Sequence, residues 1–188
     1  MIFTIRGLVV PFNVAVELAG ELFQIDRGAF DQWLAAPDCD CELIWGGHDS
    51  DDAIATTADR SLHLFATESG LWFDAKVGDF YSNAWRSRAM SRRRDALNQC
   101  SGNFIIGVER ADSFAGVARR TVTRAGLDHI AIVRYGAFGR RTCAWPSNVP
   151  FGPPINLRDS EVRSFDVEFQ DAVSASATRW FAYRKDRS

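Results

Sequence analysis

The chain has 188 residues, 46% hydrophobic and 12% aromatic, enough apolar material for one packed domain and too much for a disordered chain. Lys and Arg number 22 against 24 Asp and Glu, a formal net charge of −2, so no global charge draws it to nucleic acid or an anionic membrane. Its apolar runs are much shorter than the ~18 residues that a membrane span needs.

The opening stretch "MIFTIRGLVVPFN" has a short alternating apolar run and no small-residue cleavage site, so it is expected as a first strand and not as a signal peptide. Residues 20–24 begin a second strand. "DRGAFDQWLAAP" predicts a short helix with Phe30, Trp33 and Leu34 on one side and Pro37 stopping it. "CELIWGGH" is a buried strand ending in a glycine pair, which lets the backbone bend just before His48. "SLHLFATESGLWFDAKV" alternates on either side of a turn at 68–70 and predicts a hairpin.

A helix is expected over residues 81–98, with Trp85, Ala89, Ala96 and Cys100 near one stripe and Arg86, Arg92, Arg93 and Arg94 mostly elsewhere. "SGNFIIGVERADSF" and "GVARRTVTRAG" follow as two strands around a loop. Residues 127–133 alternate again: Leu127, His129, Ala131 and Val133 on one face, Asp128, Ile130 and Ile132 on the other. "AWPSNVPFGPPINL" holds four prolines and predicts an extended linker. Beyond it "VRSFDVEF" alternates like a strand, and an Ala-rich segment ends at Trp180 and Phe181. Many short strands with one or two helices make the fold class α+β, mainly β, and favour a barrel over a doubly wound sheet. The expected division is a domain over 1–145, a linker over 146–160 and a tail segment over 161–188.

The four cysteines, Cys39, Cys41, Cys100 and Cys143, are not spaced as a disulfide framework and are expected as reduced thiols. "CDC" lacks the paired spacing of a zinc site, so no metal and no cofactor is expected. The chain has three histidines. His63 shares a strand face with Ser61 and Phe65 and is expected at a rim. His48 ends a buried strand beside a flexible acidic loop, where catalytic groups are commonly presented; a solvated histidine capping that loop is the plainer reading. His129 sits within a buried strand, where its ring nitrogens need partners or cost roughly 1–3 kcal/mol each; a core histidine bonded to a backbone carbonyl would satisfy that.

Ser101 follows the long helix, and Gly102 leaves its backbone room for close approach. The adjacent Cys100 competes as nucleophile, because a thiol is intrinsically more reactive. "GAFGRRT" puts Arg140 and Arg141 after a glycine, a positive element suited to a developing oxyanion, or an ordinary solvated turn.

In this order the motifs resemble those of the capsid maturation proteases of tailed phages and their herpesvirus relatives, the assemblins. The resemblance rests on "RGLVVPFN" with "RGAF", Gly47-His48-Asp49, Cys100-Ser101-Gly102-Asn103-Phe104, His129-Ile130-Ala131, and Arg140 with Arg141. It covers about residues 1–145. It implies a herpesvirus-protease-like closed β-barrel with a few surrounding helices. The activity it implies is a serine endopeptidase that cuts scaffold or capsid-protein N-terminal segments, and itself, inside a procapsid in the host cytoplasm.

On this resemblance Ser101 is the nucleophile, His48 the base and His129 the third member, where many phage enzymes resemble Glu-Val-Ser. Arg140 and Arg141 match the oxyanion loop. Asp128 competes for the third role, but strand alternation turns it away from the face of His129. A neutral third member stabilises an imidazolium less than a carboxylate does, so slow turnover is implied.

The implied partners are a major capsid protein or scaffold precursor as substrate and further copies of the chain, as a dimer or more. No membrane is implied. A catalytically silent barrel serving virion assembly is the alternative. "RSRAMSRRR" offers five arginines between Arg86 and Arg94 for nucleic acid, but no stacking aromatics accompany them.

Overall fold

A computed structural model describes residues 3–48, 53–78 and 99–146. The helix expected over 81–98 with its arginines, Asp49, and the linker and tail beyond residue 146 lie outside the described residues. The strands are β1 (Phe3–Pro11), β2 (Val16–Leu18), β3 (Glu21–Ile25), β4 (Glu42–Trp45), β5 (Ala53–Thr56), β6 (Leu62–Ala66), β7 (Gly70–Val77), β8 (Gln99–Phe114), β9 (Val117–Val133) and β10 (Cys143–Pro146). One short helix, α1 (Asp31–Leu34), and a 3-10 turn at Gly139–Arg141 complete the described elements.

The strands form two sheets. One runs β10-β1-β7-β6 and is antiparallel at every step. In the other, β9 is the spine. It takes β3 in parallel along Arg119–Val122 and β4 in parallel along His129–Ile132, while β8 pairs antiparallel along its opposite edge. The expected closed barrel is not what forms among the described residues: the sheets are not hydrogen-bonded into one ring. The chain passes from β5 to β6 through a turn with Arg60 at φ 63°, and the Ser61 hydroxyl accepts the Thr56 N–H at 2.9 Å.

Alternating apolar residues supply the core between the sheets. Ile5 and Val9 of β1, Leu71 and Phe73 of β7, and Ile130 and Ile132 of β9 are fully buried in one cluster. A polar pair is sealed in as well: Arg6 and Asp74, register partners on β1 and β7, form a two-point ion pair at 1% and 0% exposure. The Arg6 guanidinium also lies over the Phe65 ring, 5.8 Å from its centroid.

"RGLVVPFN", "RGAF" and the segment after Ser101 meet through aromatic rings. Phe30 lies 6.2 Å from Phe12 and 6.0 Å from Phe104, ring centre to ring centre. Phe30 is fully buried, so the first strand, α1 and the start of β8 are locked around one side chain.

Candidate active site

The relation of Ser101 to His129 follows from the β8–β9 register. Ser101 pairs with Ala131 and Asn103 with His129, so Ser101 and His129 are diagonal neighbours across the two strands. Cys100 and Ile130 point into the core, where both are fully buried. The third side chain arrives from β4. The Gly46 N–H continues the parallel ladder by donating to the Ile132 carbonyl at 3.1 Å. Gly46 and Gly47 then take φ 97° and 151°, a backbone that residues with a Cβ rarely adopt, and the bend brings in His48.

The result is a chain of short contacts. His48 Nε2 lies 2.8 Å from Ser101 Oγ, and His48 Nδ1 lies 2.7 Å from His129 Nε2. The His129 ring is 13% exposed, so it is largely covered without belonging to the core. Its remaining nitrogen, Nδ1, meets the Asp128 carboxylate at 2.8 Å.

That last contact departs from the sequence reading, which sent Leu127 to the face of His129 and Asp128 to the opposite one. The register slips at this point: Asn103 pairs with His129, but Phe104 pairs with Leu127. Asp128 is left as the extra residue of a bulge. Alternation therefore changes phase, Leu127 joins Ile130 and Ile132 in the core, and Asp128 and His129 reach each other. The partner strand β8 sets this change of phase, and β9 alone carries no signal for it.

Cys100 is packed away beside the serine. It is fully buried, its thiol donates to the Cys143 carbonyl with sulfur and oxygen 3.3 Å apart, and burial pushes its pKa well up, so the reactive thiolate is suppressed. All four cysteines are free thiols. His63 stands in another environment: it faces Asp74 across β6–β7 and lines a cleft of about 410 Å³ with Cys39, Arg60 and Leu64. That cleft shares no lining residue with the Ser101 site.

The segment with Arg140 and Arg141 is tied to the strand of the nucleophile. The Gly136 N–H donates to the Gln99 side-chain oxygen Oε1 at 2.9 Å, and a Cβ at Gly136 would lie 2.3 Å from the Cys100 carbonyl oxygen. Thr142, which sequence reasoning did not single out, accepts the Cys100 N–H at 3.2 Å. Within the turn the N–H groups of Gly139, Arg141 and Thr142 donate to the carbonyls of Gly136, Phe138 and Gly139.

A hydroxyl in contact with an imidazole that is itself oriented by a further group is the arrangement of a serine hydrolase. Among the described residues no cluster of His, Cys, Asp and Glu has the spacing to hold a metal ion. Residues 1–145 match the family model of the caudovirus prohead serine proteases, and the chain belongs to that family. It is a serine endopeptidase of capsid maturation. No curated protein sequence matches it significantly. Among the described residues no helix is long and apolar enough to cross a membrane.

Proposed function

We propose that Ser101, His48 and His129 form the catalytic triad of this protease. The observation that carries the reading is the bridging position of His48, with Ser101 Oγ at 2.8 Å from one ring nitrogen and His129 at 2.7 Å from the other. His48 Nε2 takes the hydroxyl proton as Ser101 Oγ attacks the scissile carbonyl carbon. The tetrahedral oxyanion collapses, the C–N bond breaks, and His48 returns the proton to the leaving amine. Water then hydrolyses the acyl-enzyme by the same route.

The backbone N–H of Arg140 is the proposed oxyanion donor, on the resemblance of Arg140 and Arg141 to the oxyanion loop. Arg141 is exposed at the same turn and adds positive charge. The substrates are scaffold or capsid-protein N-terminal segments and the chain itself, cut inside the procapsid in the host cytoplasm by an oligomer of this chain.

Co-expression of a capsid or scaffold precursor from the same genome with the native chain or Ser101→Ala, followed by intact mass, tests this. A defined truncation with the native chain and an intact precursor with Ser101→Ala is the expected result. Equal truncation with both removes Ser101 from the mechanism. No cut with either, while the folded chain still associates with the precursor, favours a silent assembly component.

A further inference from the structure

His129 does not end the chain of contacts: its Nδ1 meets the Asp128 carboxylate at 2.8 Å, and Asn103 donates to that same carboxylate oxygen at 3.2 Å. We infer that Asp128 is a positioning residue that fixes the proton positions of both imidazoles. This rests on the triad reading above.

An ionised carboxylate can only accept, so the proton of a neutral His129 must sit on Nδ1. The lone pair of His129 then lies on Nε2 and can only accept from His48. That puts the His48 proton on Nδ1 and its lone pair on Nε2, the nitrogen facing Ser101 Oγ. One carboxylate thus fixes two tautomers, and the only nitrogen left able to take a proton is the one beside the hydroxyl.

The same carboxylate supplies what the imidazole third member lacks. When His48 becomes cationic, His129 accepts its Nδ1–H, and the Asp128 carboxylate places a negative charge one ring away. At 61% exposure the carboxylate is screened by solvent, so its effect is smaller than that of a buried aspartate in direct contact with the base. Asn103 compensates in part by restraining it. Asn103 lies two residues after Ser101 and in register with His129, so β8 carries both the nucleophile and the clamp on the far end of the relay.

Other titratable groups bear on the pair from β4. Glu42 is in register with His129, and the buried Cys41 lies close enough to Asp128 for that charge to add to the upward push on its thiol. Neither is in hydrogen-bond contact with either imidazole ring among the contacts described. Asp128 is bonded directly to His129, and the shift of the pH profile is assigned to it on that contact.

A fluorophosphonate probe tests the idea without a known cleavage site. Ser101 Oγ bonds to phosphorus, fluoride leaves, and the hydroxyl proton passes to His48. The expected result for Asp128→Asn is a labelling rate about tenfold lower, as befits an indirect, screened partner of the base. The acid limb of the rate profile should move to lower pH, because imidazolium loses its counter-charge. Asp128→Glu should restore most of the rate. An Asp128→Asn profile with the native midpoint overturns the inference whatever the rate does.

Nitrogen-15 histidine spectra of the native chain give a second reading that needs no variant to fold. His129 and His48 are both expected as Nδ1–H tautomers, and His129 as the Nε2–H tautomer overturns the assignment. Labelling that survives in Ser101→Ala strikes the triad itself. Labelling lost in Ser101→Ala and His129→Ala but unchanged in rate and profile in Asp128→Asn strikes only the role of Asp128.

Discussion

The Thr142 hydroxyl clips both backbone groups of Cys100, accepting from its N–H at 3.2 Å and lying 2.9 Å from its carbonyl oxygen, to which it donates. Cys100 immediately precedes the nucleophile, and Thr142 immediately follows the turn that carries Arg140 and Arg141. The two halves of the proposed acylation site are therefore joined by one buried side chain, 1% exposed.

Thr142→Val keeps the shape of this side chain and removes its bonds. It leaves an N–H and a carbonyl unpaired in a dry site, a cost of about 1–3 kcal/mol per group. Loss of fluorophosphonate labelling should exceed what the fall in stability explains, because the turn is released from β8. Thr142→Ser, which keeps the hydroxyl, should label at close to the native rate. Equal labelling by Val and Ser variants would show that the clip does not position the turn.

Cys100 and Ser101 are adjacent in sequence, yet the strand turns them to opposite faces. Cys100→Ala should keep its fluorophosphonate labelling and lose about 1 kcal/mol of stability from the space left in the core. Ser101→Ala should lose labelling and keep its stability, since its side chain is only partly buried. Iodoacetamide should leave Cys100 unmodified in the folded chain. The reverse pattern, labelling lost with Cys100→Ala and kept with Ser101→Ala, would make the thiol the nucleophile.

Local pattern carried much of this structure. Apolar patterning in "TIRGLVVPF", "CELIWGGH" and "SLHLFATESGLWFDAKV" corresponds to β1, β4 and the β6–β7 hairpin, and the two segments around Gly116 are β8 and β9. β9 does not stop at residue 126 but continues through Val133, so the strand of His129 and its predecessor are one. The short strands β2 and β5, of three and four residues, have too little alternation to stand out.

What escaped the sequence was set by pairing. A bulge depends on the partner strand, so the phase change at Asp128 could not be read from β9 alone. The Arg6–Asp74 pair joins residues 68 positions apart, and the Thr142–Cys100 clip joins residues 42 apart. Neither has a local signature. The histidines and the serine were legible because their residue types are scarce and their order resembles a family. Their contact distances are a product of the fold.

His63 provides a pH dependence separate from catalysis. Burial holds its pKa below the ordinary imidazole value, with the Asp74 charge opposing in part. In the unfolded chain the ring binds a proton at about pH 6.5, which the folded chain takes up only at lower pH. Between those values the unfolded state holds more protons, so stability rises with pH and is lost on acidification through the window below about 6.5. His63→Phe should flatten that part of a plot of melting temperature against pH and leave fluorophosphonate labelling unchanged. An unaltered slope would assign the dependence to other groups.

The Arg6–Asp74 pair separates the cost of a broken ion pair from the value of an intact one. Arg6→Met leaves a carboxylate at 0% exposure without its two-point partner, and such a break typically costs about 3–5 kcal/mol. Asp74→Leu removes the two-point partner of the buried guanidinium. The double variant Arg6→Met, Asp74→Leu removes both charges and fills the site with apolar atoms, so it should recover most of either loss in a denaturant titration. β1 also pairs with β10, which begins immediately after Thr142. Labelling of Ser101 should therefore fall in each single variant near its unfolding midpoint and return in the double. Additive losses in the double variant would mean that the pair contributes through its two side chains separately, and that its charges are not what ties β1 to β7.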